Sequence, residues 1–289
     1  MIYASADEWR AAPNKRVLLF AMSGLGKTHL SQMLRDQGDW FHYSIDYRIG
    51  TRYMGEHITD NFKAEAMNNP FLAELLRNDA IYIASNITFN NLAPLSTYLG
   101  KPGDPEKGGI EFDAYVARQN QHRHAEISSM RDSLHFIGRA KRLYGYEHFV
   151  CDCSGSVIEV VDPDNPNDPV LNAVAENMLL VWLEGSETHT DILVERFKQA
   201  PKPMYYQPAF LQDCWARYLD ETGLNPAQVD PDDFIVWGYR QLLEHRLPRY
   251  AQLAKNWGVS IKASALDGLT DSTEFDALVG EAIKVKHAN

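Results

Sequence analysis

The residues with the clearest chemical pattern lie near the amino terminus, in the segment Ala21-Met-Ser-Gly-Leu-Gly-Lys-Thr28. The segment fits the phosphate-binding pattern of one small residue, four residues of any type and then Gly-Lys-Thr. Gly24 and Gly26 allow the backbone to curl, so that successive N–H groups point at phosphate oxygens. Lys27 brings positive charge to the β- and γ-phosphates, and the Thr28 hydroxyl is a ligand for Mg²⁺. The pattern predicts a site for ATP with Mg²⁺. Its contacts are expected from Ser23, Gly24, Leu25, Gly26, Lys27 and Thr28.

The elements on either side of this segment are those that such a site needs. Lys15–Ala21 is a short apolar run bounded by Pro13 and by the glycines that follow, and it predicts a buried strand. Thr28–Gln37 has helical spacing, which Gly38 ends. A strand before the loop and a helix after it direct the positive end of the helix dipole at the phosphates.

Two aspartates follow apolar runs that predict further strands. Asp46 comes at the end of the first run, where a carboxylate can hold a substrate hydroxyl and accept its proton. Asp152 follows Phe149-Val-Cys, and we expect it to reach Mg²⁺ through water, beside Thr28. For both aspartates, capping of a turn or strand end is the open alternative. Small residues after Asp152, among them Gly155, leave room at the edge of the sheet where α/β folds bind ligands.

The remaining runs predict an α/β fold. Further strands are predicted at Ala80–Ala84, Glu147–Cys153, Asn177–Leu183 and Gly258–Lys262, and long helices at Phe112–Tyr144 and Pro231–Asn256. Alternating strands and helices are typical of a parallel sheet with helices on both faces. The predicted fold is therefore a three-layer P-loop sandwich. We interpret residues 1–289 as a single domain that carries an inserted helical cap over approximately 54–146.

The order of these features resembles the shikimate-kinase-like branch of small-molecule P-loop kinases. Ser44-Ile-Asp46 matches the second aspartate of the family's Asp-x-Asp, and Ser154-Gly155-Ser156 lies where the family has three glycines. Glu195-Arg196 and Lys202-Pro203 are similar to the family's lid, and Arg246-Leu-Pro-Arg-Tyr250 is similar to its Arg-x-Pro-Leu-Tyr motif. The changed positions argue that the acceptor is not shikimate. Residues 54–146 fall outside the resemblance.

The arginines carry the acceptor-side predictions. The resemblance implies that Arg246 contacts the acceptor, together with Gly155. Arg52 follows Asp46 closely and is also expected at the acceptor, whereas Arg196 would stabilise charge in the transition state with Lys27. A solvated helix surface is the open alternative for each of these arginines.

Composition limits the partners and the location of the chain. Lys and Arg total 28 against 39 Asp and Glu, a net charge of −11 that disfavours a nucleic-acid substrate. The chain has no run of roughly 18 apolar residues and no amino-terminal signal pattern, so we expect a cytoplasmic protein without a membrane partner. Three cysteines are too few for a disulfide framework. The sequence predicts no oligomeric state.

The prediction for function is an ATP-dependent phosphotransferase that moves the γ-phosphate to a hydroxyl group of a small-molecule acceptor. One alternative is an ATP-hydrolysing switch or regulator that acts on a protein partner. Such proteins usually carry a catalytic glutamate after the metal-binding aspartate, where this chain has Cys153 and Ser154. A nucleotide or nucleic-acid kinase is the other alternative. The chain also resembles a group of uncharacterised bacterial proteins labelled only as ATPases, which names no acceptor.

Overall fold

A computed structural model of the chain describes residues 2–288, apart from the side chains of 187–191. The described residues divide into two compact units. The first, which we call the sheet unit, comprises 2–45, 126–200 and 236–288. The second, the helical unit, comprises 46–125 and 201–235. The predicted single domain with an insertion over 54–146 stays a prediction beside this division.

The sheet unit is built on five parallel strands. They are β1 (Arg16–Phe20), β2 (Trp40–Ser44), β3 (His148–Asp152), β4 (Leu179–Glu184) and β5 (Gly258–Lys262), in the spatial order β2-β3-β1-β4-β5. The three inner strands are almost wholly buried, as their continuous apolar runs require. Because β1 lies between β3 and β4, the segments that follow β1 and β3 meet at one edge of the sheet.

The helices fall before, between and after these strands. They are α1 (Ala6–Ala11), α2 (Lys27–Asp36), α3 (Ile45–Arg48), α4 (Gly55–Met67), α5 (Pro70–Arg77), α6 (Ala93–Leu99), α7 (Phe112–Tyr144), α8 (Val157–Val160), α9 (Pro169–Ala175), α10 (Glu187–Gln199), α11 (Pro208–Thr222), α12 (Pro231–Trp257) and α13 (Ser272–Ala288). A π-helical turn, Ile49–Tyr53, lies between α3 and α4. The helical spacing of residues 112–144 predicted α7 with the bounds that the structure shows. Among residues 2–288, no helix is long and apolar enough to cross a bilayer.

Side chains of β2 show that helices cover both faces of the sheet. The ring of Trp40 meets Phe275 of α13, with ring centroids 6.0 Å apart. The rings of Phe41 and Tyr43 meet Phe136 of α7, at 6.4 and 5.0 Å. Successive side chains of a strand point to opposite faces, so α13 and α7 form separate layers. The predicted three-layer α/β fold with a parallel central sheet is confirmed.

One predicted strand is wrong. Residues 80–84 form no strand, and Tyr82 in their middle is 89% exposed. A strand needs hydrogen-bonded neighbours, and the described residues of the helical unit have only two isolated bridges, Thr88 with Asn91 and Pro102 with Ile110. The apolar residues of this segment therefore do not form a strand of a sheet.

Candidate functional site

The loop between β1 and α2 has the backbone conformation that its glycines predict. Gly24 has a φ of 89° and Gly26 a φ of 86°, both in the left-handed region that favours glycine. A Cβ on Gly24 would lie 2.9 Å from a methyl carbon of Leu193, so space also excludes a side chain there. Gly26 is the residue before the first turn of α2, whose unbonded N–H groups and positive dipole end therefore face the loop.

Lys27 holds this loop together from its inner side. The side chain is 8% exposed, and its Nζ donates hydrogen bonds to the carbonyl oxygens of Ala21 at 2.9 Å and Met22 at 3.1 Å. These carbonyls belong to the first two residues of the loop. The ammonium group is therefore positioned where the backbone N–H groups and the helix terminus already favour an anion.

Thr28 and Asp152 come together at the carboxyl edge of the sheet. The Thr28 hydroxyl donates a 2.8 Å hydrogen bond to Oδ2 of Asp152, the last residue of β3. Nε2 of His42, on the neighbouring strand β2, lies 3.8 Å from the same oxygen. A hydroxyl beside a carboxylate provides the hard oxygen ligands that Mg²⁺ prefers. The donor set fits the metal that the sequence predicts.

The segment after β3 lies against the loop. A Cβ on Gly155 would lie 3.2 Å from the carbonyl oxygen of Ala21 and 3.5 Å from the amide nitrogen of Ser23. The hydroxyl of Tyr250, on α12, donates a hydrogen bond to the carbonyl oxygen of Gly155. A larger residue at 155 would press on the backbone of the loop between β1 and α2, which accounts for a glycine at this position.

A buried carboxylate that sequence reasoning missed lies beside this segment. Glu126 of α7 is fully buried, and Oγ of Ser156 lies 2.7 and 2.9 Å from its two carboxylate oxygens. Oγ of Ser154 lies 2.6 Å from that of Ser156 and extends the chain of polar groups. Helical spacing could have indicated that Glu126 is buried. Met130 and Ser133 follow it by four and seven residues and share the buried face of α7.

A buried ion pair links α8 to α12. Nε of Arg246 lies 2.7 Å from Oε1 of Glu159, with side-chain exposures of 1% and 0%. Nε2 of His245 lies 3.4 Å from Oε2 of Glu159. Burial alone would raise the pKa of Glu159, but the charge of Arg246 and the hydrogen bonds from His245 and Arg246 hold that pKa below its usual range. Arg246 is therefore placed in the interior, and its expected contact with an acceptor stays a prediction.

The other predicted residues lie on α10, on α3 and on the π-helical turn. Arg196 is exposed on α10 of the sheet unit. Asp46 lies in α3, two residues past the end of β2, and is half-buried. Arg52 is exposed on the π-helical turn. Asp46 and Arg52 belong to the helical unit. Their roles and that of Arg196 stay predictions.

A cavity of about 190 Å³ adjoins the phosphate-binding loop within the sheet unit. One wall comes from Leu25 of the loop and from His29 and Met33 of α2. The other wall comes from the segment after β5, at Leu266 and Leu269. This cavity, whose walls are partly apolar and also include Asp267, meets the loop at Gly24 and Gly26 and offers room for a small flat group.

The structure defines an α/β protein with a parallel sheet and a glycine-containing loop between its first strand and the following helix. A search of solved structures found a shikimate kinase from Bacteroides thetaiotaomicron, with 15% sequence identity and a TM-score of 0.40. The match covers 94% of this chain and 98% of that one. No protein-family model matches the chain. No curated protein matches it by sequence.

Proposed function

We propose that the chain binds Mg-ATP at residues 21–28 and moves the γ-phosphate to a hydroxyl group of a small molecule. The observation that carries the nucleotide site is the geometry around α2. Gly24 and Gly26 have positive φ, Lys27 is held inside the loop, and the hydroxyl of Thr28 bonds to Asp152 at the carboxyl edge of the sheet.

Each part of this geometry has a role in holding the nucleotide. The loop N–H groups and the ammonium of Lys27 bind the phosphates, and Lys27 exchanges carbonyl partners for phosphate oxygens. Thr28 and Asp152 are the groups that would hold Mg²⁺. Bound ATP would supply the phosphoryl group, and Mg²⁺ would neutralise part of the negative charge on that group. The cavity beside Leu25 and Met33 would take the base.

Transfer rests on positioning and charge more than on covalent chemistry. Asp46 would accept the proton of the attacking hydroxyl group, as its place after β2 suggests. Arg52 and Arg246 would contact the acceptor, and Arg196 would stabilise charge on the transferred group. Gly155 would leave the edge of the sheet open beside the loop. The order of the sequence motifs supports the roles of Asp46, Gly155, Arg196 and Arg246, whereas Arg52 is proposed from its nearness to Asp46 in the sequence.

The test is Mg²⁺-dependent release of ADP by the wild type, Lys27→Ala and Lys284→Ala. Lys284 is a suitable control because it is half exposed on α13 and pairs only with the neighbouring Glu281 among the described residues. Pools of hydroxylated metabolites, of nucleotides and of nucleic acid are added separately. Release that one metabolite pool stimulates in the wild type and control, and that Lys27→Ala lacks, supports the proposal. Slow release that no pool changes would contradict transfer and favour a switch or regulator.

A further inference from the structure

A larger cavity, of about 500 Å³, lies at the opposite edge of the sheet. Its floor includes Arg16 and His148, the first residues of β1 and β3, and its wall is the end of α7 from Ile137 to Arg142. The phosphate-binding loop and Asp152 are at the other ends of the same strands. Five residues of strand span roughly 16 Å. This cavity is therefore separate from the proposed ATP site.

The walls of the cavity are mainly apolar and partly aromatic. Ile137, Ala140, Tyr146 and Phe149 line it. The Phe149 ring is held in place by Phe41 of β2, with centroids 5.7 Å apart and planes 15° apart. Cavities of this volume with apolar walls and a few polar groups are typical of small-molecule sites. The walls favour a ligand with a flat apolar body.

Three cations, Arg16, Lys141 and Arg142, line the cavity against one carboxylate, Glu147, although the whole chain carries a net charge of −11. The ammonium group of Lys141 already has partners, because it lies 2.9 Å from a carboxylate oxygen of Glu147 and donates a 3.2 Å hydrogen bond to Asn14. In the part of the chain that the structure describes, Arg16 and Arg142 form no ion pair. Arg16 and Arg142 are therefore cations of the cavity without an ion pair among the described residues, and Glu147, which pairs with Lys141, is the carboxylate in the lining.

Arg16 is half-buried and lines the cavity. Its Nε is buried without a hydrogen-bond partner among residues 2–288, and an atom without accessible surface cannot meet a ligand in an open cavity. The terminal nitrogens of the guanidinium group are therefore the donors that a ligand reaches. A ligand carboxylate is the acceptor whose charge and planar shape match a guanidinium group.

We propose that this cavity is a second ligand site, which binds a small organic carboxylate with a flat apolar or aromatic body. The body packs against Ile137, Ala140 and Phe149, and the carboxylate accepts hydrogen bonds from Arg16 and Arg142. The site does not depend on the proposed ATP-binding function, because it shares no residue with the phosphate-binding loop.

The first test compares a naphthalene carboxylate with its neutral amide by calorimetric titration into the full chain. We expect saturable binding of the carboxylate and roughly tenfold weaker binding of the amide, because a charge-assisted hydrogen bond is lost. Arg16→Met should weaken binding of the carboxylate by a similar factor and leave the affinity for the amide unchanged. Arg139→Gln is the control, since Arg139 lies over the Phe136 ring and does not line the cavity.

The second test fills the cavity and leaves its charges in place. Gly138 lines the cavity within α7, and a Cβ added there meets no atom within 4 Å. Gly138→Trp should therefore fold, since most residues favour a helix more than glycine does, and it should abolish binding of both probes. Lys27→Ala should keep the carboxylate site. No saturable carboxylate binding, equal affinity for carboxylate and amide, or unchanged affinity in Arg16→Met and Gly138→Trp would each overturn the proposal.

Discussion

The hydroxyl of Thr28 and the carboxylate of Asp152 are hydrogen-bonded at 2.8 Å although 124 residues separate them in the chain. The sheet order brings them together, because β3 lies beside β1 and Leu19 is the register partner of Asp152. Thr28 lies in the first turn of α2, which places its hydroxyl beside Asp152. A hydroxyl and a carboxylate at this edge, next to a loop with two left-handed glycines, form the part of the molecule best suited to a magnesium nucleotide.

Asp152→Asn tests the metal-binding part of this site. The amide keeps a hydrogen-bond acceptor for Thr28 but loses the negative charge. We expect ATP affinity in Mg²⁺ to fall roughly tenfold or more, as for other changes beside a metal, and affinity in EDTA to stay the same. Titration of ATP under both conditions measures this, with Asp36→Asn at the exposed end of α2 as the control. Equal losses with and without Mg²⁺ would contradict the assignment.

Lys27→Ala tests the phosphate-binding part. Lys27 is the one lysine in segment 21–28, and the change removes its positive charge from the inner side of the loop. We expect calorimetric titration to show no measurable ATP binding. The thermal midpoint without nucleotide is measured beside that of Lys284→Ala, and a single cooperative transition in Lys27→Ala separates loss of binding from loss of folding. Undiminished ATP affinity would count against the site.

Asp46→Asn tests the predicted base. The amide cannot accept the proton of a hydroxyl group, so we expect transfer to fall by roughly 10²-fold or more while ATP binding is spared. The comparison requires an acceptor found in the ADP-release assay, followed by measurement of turnover and of ATP affinity for both proteins. If turnover of that acceptor survived intact, Asp46 would lose this role.

Local pattern was sufficient for much of the sheet unit. The loop and the strands β1, β3, β4 and β5 could be predicted, because apolar runs, glycines and flanking helices depend on residues that are close together in the sequence. The strand order could not, since pairing of β1 with β3 joins residues more than a hundred positions apart. Residues 80–84 show the opposite failure. Their apolar run meets the local rule for a strand, but no neighbouring strand is present in the described part of the helical unit.

The buried carboxylates could not be predicted for a related reason. Glutamate is usually exposed, and Glu126 and Glu159 are buried only because distant residues satisfy them. Ser156 bonds to Glu126 from 30 positions away, and Arg246 bonds to Glu159 from 87. Motif comparison predicts that Arg246 contacts an acceptor, which stays a prediction, and the sequence alone does not show its buried partner Glu159.

Arg246→Met should destabilise the sheet unit strongly. It leaves Glu159 buried with no guanidinium partner, and loss of one member of a buried pair costs about 3–5 kcal/mol. Adding Glu159→Gln should recover much of the free energy of unfolding, because the uncompensated charge is then gone. Denaturant unfolding of the wild type, both single variants and the double variant gives the coupling energy. A coupling energy near zero would contradict a direct pair.

The same pair should make stability fall in acid. The pKa of Glu159 is lower in the folded chain than in the unfolded chain, since Arg246 and His245 favour the carboxylate more than burial disfavours it. A carboxylate with a lowered folded pKa contributes stability that is fully present above the unfolded pKa and is lost as the pH falls through the folded value. We therefore expect the unfolding free energy of the wild type to decrease below the ordinary glutamate pKa. The double variant Glu159→Gln with Arg246→Met should decrease less over that range, and parallel curves for the two proteins would exclude Glu159 as the titrating group.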